Sequence, residues 1–129
     1  MAASLAKRLQ LKAGTTLALL DAPVEVRERL RLELAGVEFG PRGKAGAVLL
    51  FVRDLADVRD RAPAALDAVA AGGLVWIAYP KKSSGVQTDV DRDTLWSAVL
   101  EMGWAPVRQI AVDETWSAVR FRSERDVGT

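Results

Sequence analysis

Neither cysteine nor histidine occurs in these 129 residues. Without cysteine there is no disulfide, no thiolate nucleophile and no thiolate-bound metal. Without histidine the chain lacks the side chain that titrates near neutrality and most often ligates metals. Serine–histidine triads, histidine general bases and histidine zinc sites are therefore excluded. Any chemistry would rest on carboxylates, lysine, arginine, hydroxyls or a bound cofactor, which argues against an autonomous hydrolase. Charge imbalance is missing too: 18 basic and 17 acidic residues leave a net +1, without the basic excess that draws proteins to nucleic acid or acidic membranes. No apolar run approaches the roughly 18 residues of a membrane span, and the N-terminal MAASLAKRLQLK has no signal-peptide core. The expectation is a cytoplasmic protein with no membrane and no nucleic-acid partner.

What is present reads as an ordinary globular domain. Half the residues are hydrophobic and 27% are charged, and the length suits one domain over 1–129. A short helix is expected within 1–12, where Leu5 and Leu9 lie one turn apart, and a flexible tail over 123–129. Between them, unbroken apolar runs at 16–20, 47–52 and 74–79 suggest strands covered on both faces, as in parallel sheets. A short strand is expected at 37–39. Asp21-Ala22-Pro23 opens a helix to about residue 34, with Val26, Leu30 and Leu34 on one face. Asp54 is a natural N-cap for the next helical run, which Pro63 is expected to divide into two short helices ended by Gly72-Gly73. Thr88-Asp89-Val90-Asp91 resembles a capping box for a last helix, with Gly103 beyond its end. Strands at 107–112 and 116–122, joined by Asp113-Glu114-Thr115, form an antiparallel hairpin.

The densest motif is GGLVWIAYPKKSSGVQT, residues 72–88: a buried strand ended by Pro80, then Lys81, Lys82, Ser83 and Ser84. Ligands of open α/β sheets sit beyond the carboxyl ends of the strands, so this loop is a candidate anion site. It lacks a Walker pattern, which disfavours nucleoside triphosphate cleavage. Asp89, Asp91 and Asp93 either cap the last helix or hold Mg²⁺, capping being favoured. Arg92 is placed to bridge to Asp113 or Glu114, and Trp116 beside these acids serves either as a stacking surface or as a lid on the core. Arg108, Arg120 and Arg122 align into a basic stripe if their strands pair. A homodimer is expected if two of the four tryptophans (76, 96, 104 and 116) are exposed together.

AAGGLVWIAYP and GWAPVRQIAVDETWSAVRFR, in that order, resemble the class I S-adenosylmethionine-dependent methyltransferases over roughly residues 45–122. There a Gly-Gly turn feeds a buried strand, and a last helix leads into a two-stranded hairpin. The resemblance implies a Rossmann-like three-layer α/β sandwich with a mainly parallel sheet and a C-terminal antiparallel hairpin. It also implies S-adenosylmethionine as cofactor. Two positions depart from the pattern. Leu20-Asp21-Ala22-Pro23 stands where the family has a glycine-rich turn, and only Glu38 is available as the acid that holds the ribose at the end of strand two. PKKSSGVQTDVDRDTLWSAV together with GWAPVRQIAVDETWSAVRF is also similar to a family of small bacterial proteins of unknown function, from LKAGTTLALLDAP onward.

The first functional expectation is a non-catalytic, truncated relative that binds a small molecule or a protein. A small methyltransferase with an atypical cofactor loop at Asp21 and Ala22 is the second. The third is a phosphate or nucleotide binder using Lys81 and Lys82. Asp21, Ala22, Lys81, Lys82, Ser83, Ser84, Arg92, Asp113 and Trp116 are the candidate ligand-binding residues; no catalytic residue and no metal site is assigned.

Overall fold

A computed structural model describes residues 4–40 and 43–124. The chain order is α1 (Leu5–Arg8), β1 (Thr16–Leu20), α2 (Val24–Glu33), β2 (Glu38–Phe39), β3 (Ala45–Phe51), α3 (Leu55–Ala68), β4 (Val69–Pro80), a 3₁₀ turn (Lys82–Ser84), α4 (Arg92–Glu101), β5 (Trp104–Ala111) and β6 (Trp116–Ser123). The six strands form one sheet in the order β2-β1-β3-β4-β6-β5. The first four are parallel, while β6 runs antiparallel to both β4 and β5. This is the expected mainly parallel α/β sandwich with its C-terminal hairpin.

The unbroken apolar runs explain the three layers. Residues 47–52 and 75–80 are buried without interruption, so both sheet faces require cover. Leu17, Leu49, Phe51, Trp76, Ala78, Trp116 and Ala118 pack with Leu5 and Leu9 and with Val26, Leu30 and Leu34 of the α2 segment. Val48, Leu50, Val75, Ile77, Val119 and Phe121 meet Val58, Ala62 and Leu66 of α3 and Leu95 and Val99 of α4 on the other face. The indole Nε1–H of Trp76 donates to the Leu9 carbonyl at 3.0 Å, tying the N-terminal segment to the middle of the sheet.

Several boundaries differ from the sequence reading. The N-terminal helix is one turn, Leu5–Arg8, capped by Ser4, whose hydroxyl accepts from the Lys7 N–H at 3.2 Å. Pro63 does not divide α3. It sits on the exposed side of the helix. The buried stripe Val58, Ala62, Ala65 and Leu66 offsets the local cost of about 3 kcal/mol. Strand β5 starts at Trp104 and includes Pro106, which a sheet tolerates because β5 is an edge strand. The N-cap of α4 is Asp91 rather than Thr88: its carboxylate accepts from the Thr94 N–H at 2.9 Å, and the Thr94 hydroxyl accepts from the Asp91 N–H at 2.8 Å. Gly103 follows α4 with φ +89°, as a glycine in that position should. The tail expected to be flexible lies outside the described residues from 125 onward, and Ser123 still belongs to β6.

Gly72 and Gly73 do not end a helix; they lie within β4. The pairing of β4 with β3 jumps from Val69 opposite Ala45 to Leu74 opposite Ala47, so residues 70–73 bulge out of the ladder. Gly72 supplies φ +76°. A Cβ on Gly73 would lie 2.8 Å from the Gly46 carbonyl oxygen and 2.9 Å from that of Ala70. In urea unfolding, Gly73→Ala should cost about 1–3 kcal/mol through this backbone overlap. Gly72→Ala, which meets open space, should lose only about 1 kcal/mol of conformational strain. An equal or reversed order would contradict the bulge.

Trp76 and Trp116 are buried and Trp96 and Trp104 half-buried. Arg108 and Arg120 occupy one ladder position and Arg122 lies two residues on, so the expected basic stripe exists. Burial, together with the charges of Arg108 and Arg122, lowers the pKa of Arg120. No helix among the described residues is long and apolar enough to cross a membrane.

Candidate functional site

Strand order fixes where a crevice opens. From β1 the chain crosses to β2 on one side, then to β3 on the other, so the connectivity reverses between β1 and β3. Beyond the carboxyl ends of such a pair, the two connections diverge and leave a gap. A cleft of about 330 Å³ opens there. The turn after β1 (Asp21, Ala22, Pro23) forms one wall, Arg53, Asp57 and Arg61 the opposite one, and Phe51 and Trp116 the floor.

Asp21 has φ +59°, a left-handed conformation that L-residues other than glycine and Asn or Asp rarely adopt. It lets the chain reverse from β1 into α2 within three residues. Its carboxylate pairs across the cleft with Arg61 Nε at 3.8 Å. On the same wall the Arg53 N–H donates to the Asp57 carboxylate at 2.9 Å, and Arg53 Nε lies 3.6 Å from that group. Side chains of both arginines are largely exposed, 62% for Arg61 and 82% for Arg53. These pairs are therefore weak and open to exchange with a ligand.

Seven of the nine candidate residues from the sequence divide between two places, and Ser84 and Asp113 line neither. Asp21, Ala22 and Trp116 meet in this cleft. Of the two alternatives for Trp116, the structure shows the lid on the core: it is buried, packs edge-on against Phe51 with ring centres 4.9 Å apart, and borders the cleft. Lys81, Lys82, Ser83 and Arg92 line a separate cavity beyond β4. Ser84 lines neither cavity; its hydroxyl donates to the Lys81 carbonyl at 2.6 Å and holds the 3₁₀ turn.

Asp113 does not bridge to Arg92. It accepts instead from the N–H groups of Thr115 and Trp116, both at 2.7 Å, and from the Arg29 guanidinium of α2, so it builds the hairpin turn and ties it to α2. Arg92 contacts Asp93 and stacks over Trp96, 5.2 Å from the ring centre. The three clustered aspartates go to different partners: Asp89 accepts from the Leu55 N–H, Asp91 caps α4 and pairs with Lys82, and Asp93 pairs with Arg92. Of the three only Asp91 caps α4; Asp93 lies in its first turn, and Asp89 serves the start of α3 instead. No group of three or more acidic side chains placed to hold a metal occurs among the described residues.

Phe51, Arg53, Asp57 and Arg61 were not singled out from the sequence. Arg53 and Asp57 are four residues apart, as are Asp57 and Arg61, a spacing that places all three on one helical approach. Only the strand order shows that this approach faces Asp21.

No protein-family model and no curated protein matches the sequence, so the similarity to a small bacterial family stays an expectation from the sequence. Solved structures do match. A ribosomal protein L11 methylase from Lactobacillus delbrueckii subsp. bulgaricus superposes with a TM-score of 0.57 at 10% identity, over 93% of this chain and 75% of that one. The fold is that of the class I methyltransferases. Two more structures share this methyltransferase-like fold. DhpI in its SAH complex has a TM-score of 0.55 at 18% identity, with 93% and 82% of the two chains covered. The glycopeptide N-methyltransferase MtfA also reaches 0.55, at 12% identity over 92% and 87%.

The residues of the cleft do not fit S-adenosylmethionine in the way the resemblance implies. The turn after β1 carries the Asp21 side chain where glycine would let a cofactor reach the backbone. Glu38 pairs beside Thr16, at the start of β1. That is four residues, or about 13 Å, behind the carboxyl end of the strand. Glu38 does not line the cleft and is no ribose ligand for it.

Asp21 in the cleft wall and Asp113 in the hairpin turn each make a prediction. Asp21→Val should destabilise by about 2 kcal/mol, because a β-branched side chain opposes φ +59°, while Asp21→Gly should stay within about 1 kcal/mol of the parent in urea unfolding. Burial pulls the Asp113 carboxyl upward, but the bonds from Trp116, Thr115 and Arg29 outweigh it and its pKa is lowered. A lowered carboxylate pKa contributes stability above the unfolded value of about 3.9 and loses it as pH falls through the folded value. Asp113→Asn should therefore be less stable than the parent at pH 7, and the difference should shrink below pH 4 in acid-titration melts.

Proposed function

We propose that this chain is a methyltransferase-like domain that binds a small ligand in the cleft between β1 and β3 and does not itself transfer a group. The left-handed Asp21, paired with Arg61 at the point where strand order reverses, carries this reading. Backbone strain of this kind persists where the surroundings enforce it, and it concentrates at ligand sites. The cleft offers two exchangeable guanidinium groups above an aromatic floor, which suits a ligand with an anionic group and a flat apolar part. Its lining holds no hydroxyl and no lysine, and its two carboxylates are each engaged by an arginine. The only side chains there able to take or give a proton are Asp21 and Asp57, whose arginine pairs would have to open first.

A small S-adenosylmethionine-dependent methyltransferase is the second reading. The shared fold favours it, as does the conformation of Asp21, which gives the first turn the backbone path a glycine would give. The two readings separate in a thermal-shift titration. Ligand at 100 times its dissociation constant adds about 2.7 kcal/mol, a rise of roughly 10 °C for a chain of this size. The first reading expects a rise with adenine nucleotides or aromatic carboxylates that Arg61→Ala largely removes, and none with S-adenosylhomocysteine. A rise with S-adenosylhomocysteine alone would overturn it in favour of the second.

A further inference from the structure

A second cavity, of about 510 Å³, opens beyond β4 on the opposite face of the sheet from Trp116 and the floor of the cleft. Its floor is polar. Tyr79 and Ser117 stand opposite each other on β4 and β6, 5% and 7% exposed. Ser117 is the one buried polar residue among the described residues. Gln109 Nε2 donates to the Tyr79 hydroxyl oxygen at 2.8 Å, which leaves the phenol proton for another acceptor. Burial raises the Tyr79 pKa above its ordinary 10.0, so the phenol stays protonated at neutral pH and remains a donor.

The rim carries three cations and two carboxylates. Lys82 lies 3.5 Å from Asp91, whose carboxylate also caps α4, and Arg92 lies 3.4 Å from Asp93. The surplus charge is Lys81. Among the described residues its ammonium has no ion-pair partner, although the residue is half-buried and its backbone N–H is anchored to the Thr115 carbonyl at 2.8 Å. The Ser117 hydroxyl is itself hydrogen-bonded to the Tyr79 phenol, so an unpaired ammonium and a phenol proton line one pocket as donors without a matching acceptor.

The geometry points to a second binding site, separate from the cleft between β1 and β3, in which Lys81 and the Tyr79 hydroxyl hold the oxyanion of a small phosphate monoester or carboxylate. Ser117 and Gln109 orient the phenol from below. This reading does not depend on the first cleft being occupied, and the sequence loop contributes less than its composition suggests: Lys81 is the ligand-facing residue, while Lys82 and Ser84 are engaged within the protein.

Tyr79 is the only tyrosine in the chain, so its ring resonances in protein labelled at tyrosine report on this cavity alone. Titration with phenyl phosphate and, separately, with benzoate at pH 7 should give a saturable shift of these resonances with at least one of them. A response to phenyl phosphate alone assigns a phosphate monoester, and a response to benzoate alone a carboxylate. Lys81→Ala should weaken the response about tenfold, the worth of one charge-assisted hydrogen bond. Lys81→Arg should largely keep it, and Lys44→Ala, at the other end of the sheet, should leave it unchanged. No saturable shift with either anion, or an undiminished one in Lys81→Ala, would overturn the proposal.

Discussion

The parallel pairing of β3 with β4 is the constraint on which the rest of the molecule depends. From Val48 opposite Val75 to Phe51 opposite Ala78 the two strands run in unbroken register. Every side chain in that stretch is buried, whichever face it points to. Each Leu, Ile, Val or Phe so placed contributes about 1.5–3 kcal/mol by leaving water, but only if a layer covers it. The sheet centre therefore obliges α1 and α2 to close one face and α3 and α4 the other. Trp76 joins the two requirements: its ring fills the core beneath α2, and its N–H satisfies the Leu9 carbonyl where the N-terminal segment crosses.

Once β3 and β4 are central, the position of β1 beside β3 puts a reversal of connectivity at the carboxyl edge, and the cleft follows from it. The same edge continues across β4 to the hairpin, where Tyr79, Ser117 and Gln109 place polar groups in an otherwise apolar layer. The two sites are thus consequences of one sheet edge but belong to opposite faces. Asp113, held by the hairpin turn and by Arg29 of α2, fixes the hairpin against the helix that starts at the cleft. Its carboxylate is taken up by these structural bonds.

Much of this frame could be read from residue pattern. The apolar runs pointed to the parallel centre, and Asp54 and Gly103 marked helix ends that the structure keeps. The errors share one cause, the overriding of local preference by tertiary contact. Pro63 stays inside a helix because the stripe on the opposite side is buried, and Gly72-Gly73 turn out to shape a bulge because Gly46 crosses against them. The cleft was half legible. Asp21, Ala22 and Trp116 stood out, but Arg61 lies forty residues from Asp21 in sequence, and only the strand order brings them together. Asp113 drew attention as an acid beside an aromatic ring, yet the backbone of its own turn and an arginine from a distant helix consume it.

The methyltransferase-like fold is present, and the proposal that its cleft takes another ligand rests on how that cleft is lined. Glu38 lies at the wrong end of β1, Asp21 replaces glycine at the first turn, and the cleft is lined by paired charges over an aromatic floor. The most direct measurement is an amide chemical-shift map of the labelled protein with AMP and, separately, with S-adenosylhomocysteine. The account predicts perturbations with AMP concentrated at Asp21 to Val24, Phe51 to Arg53 and Arg61, and none of note with S-adenosylhomocysteine. Perturbations with S-adenosylhomocysteine at those residues, or an AMP response that leaves them untouched, would contradict it.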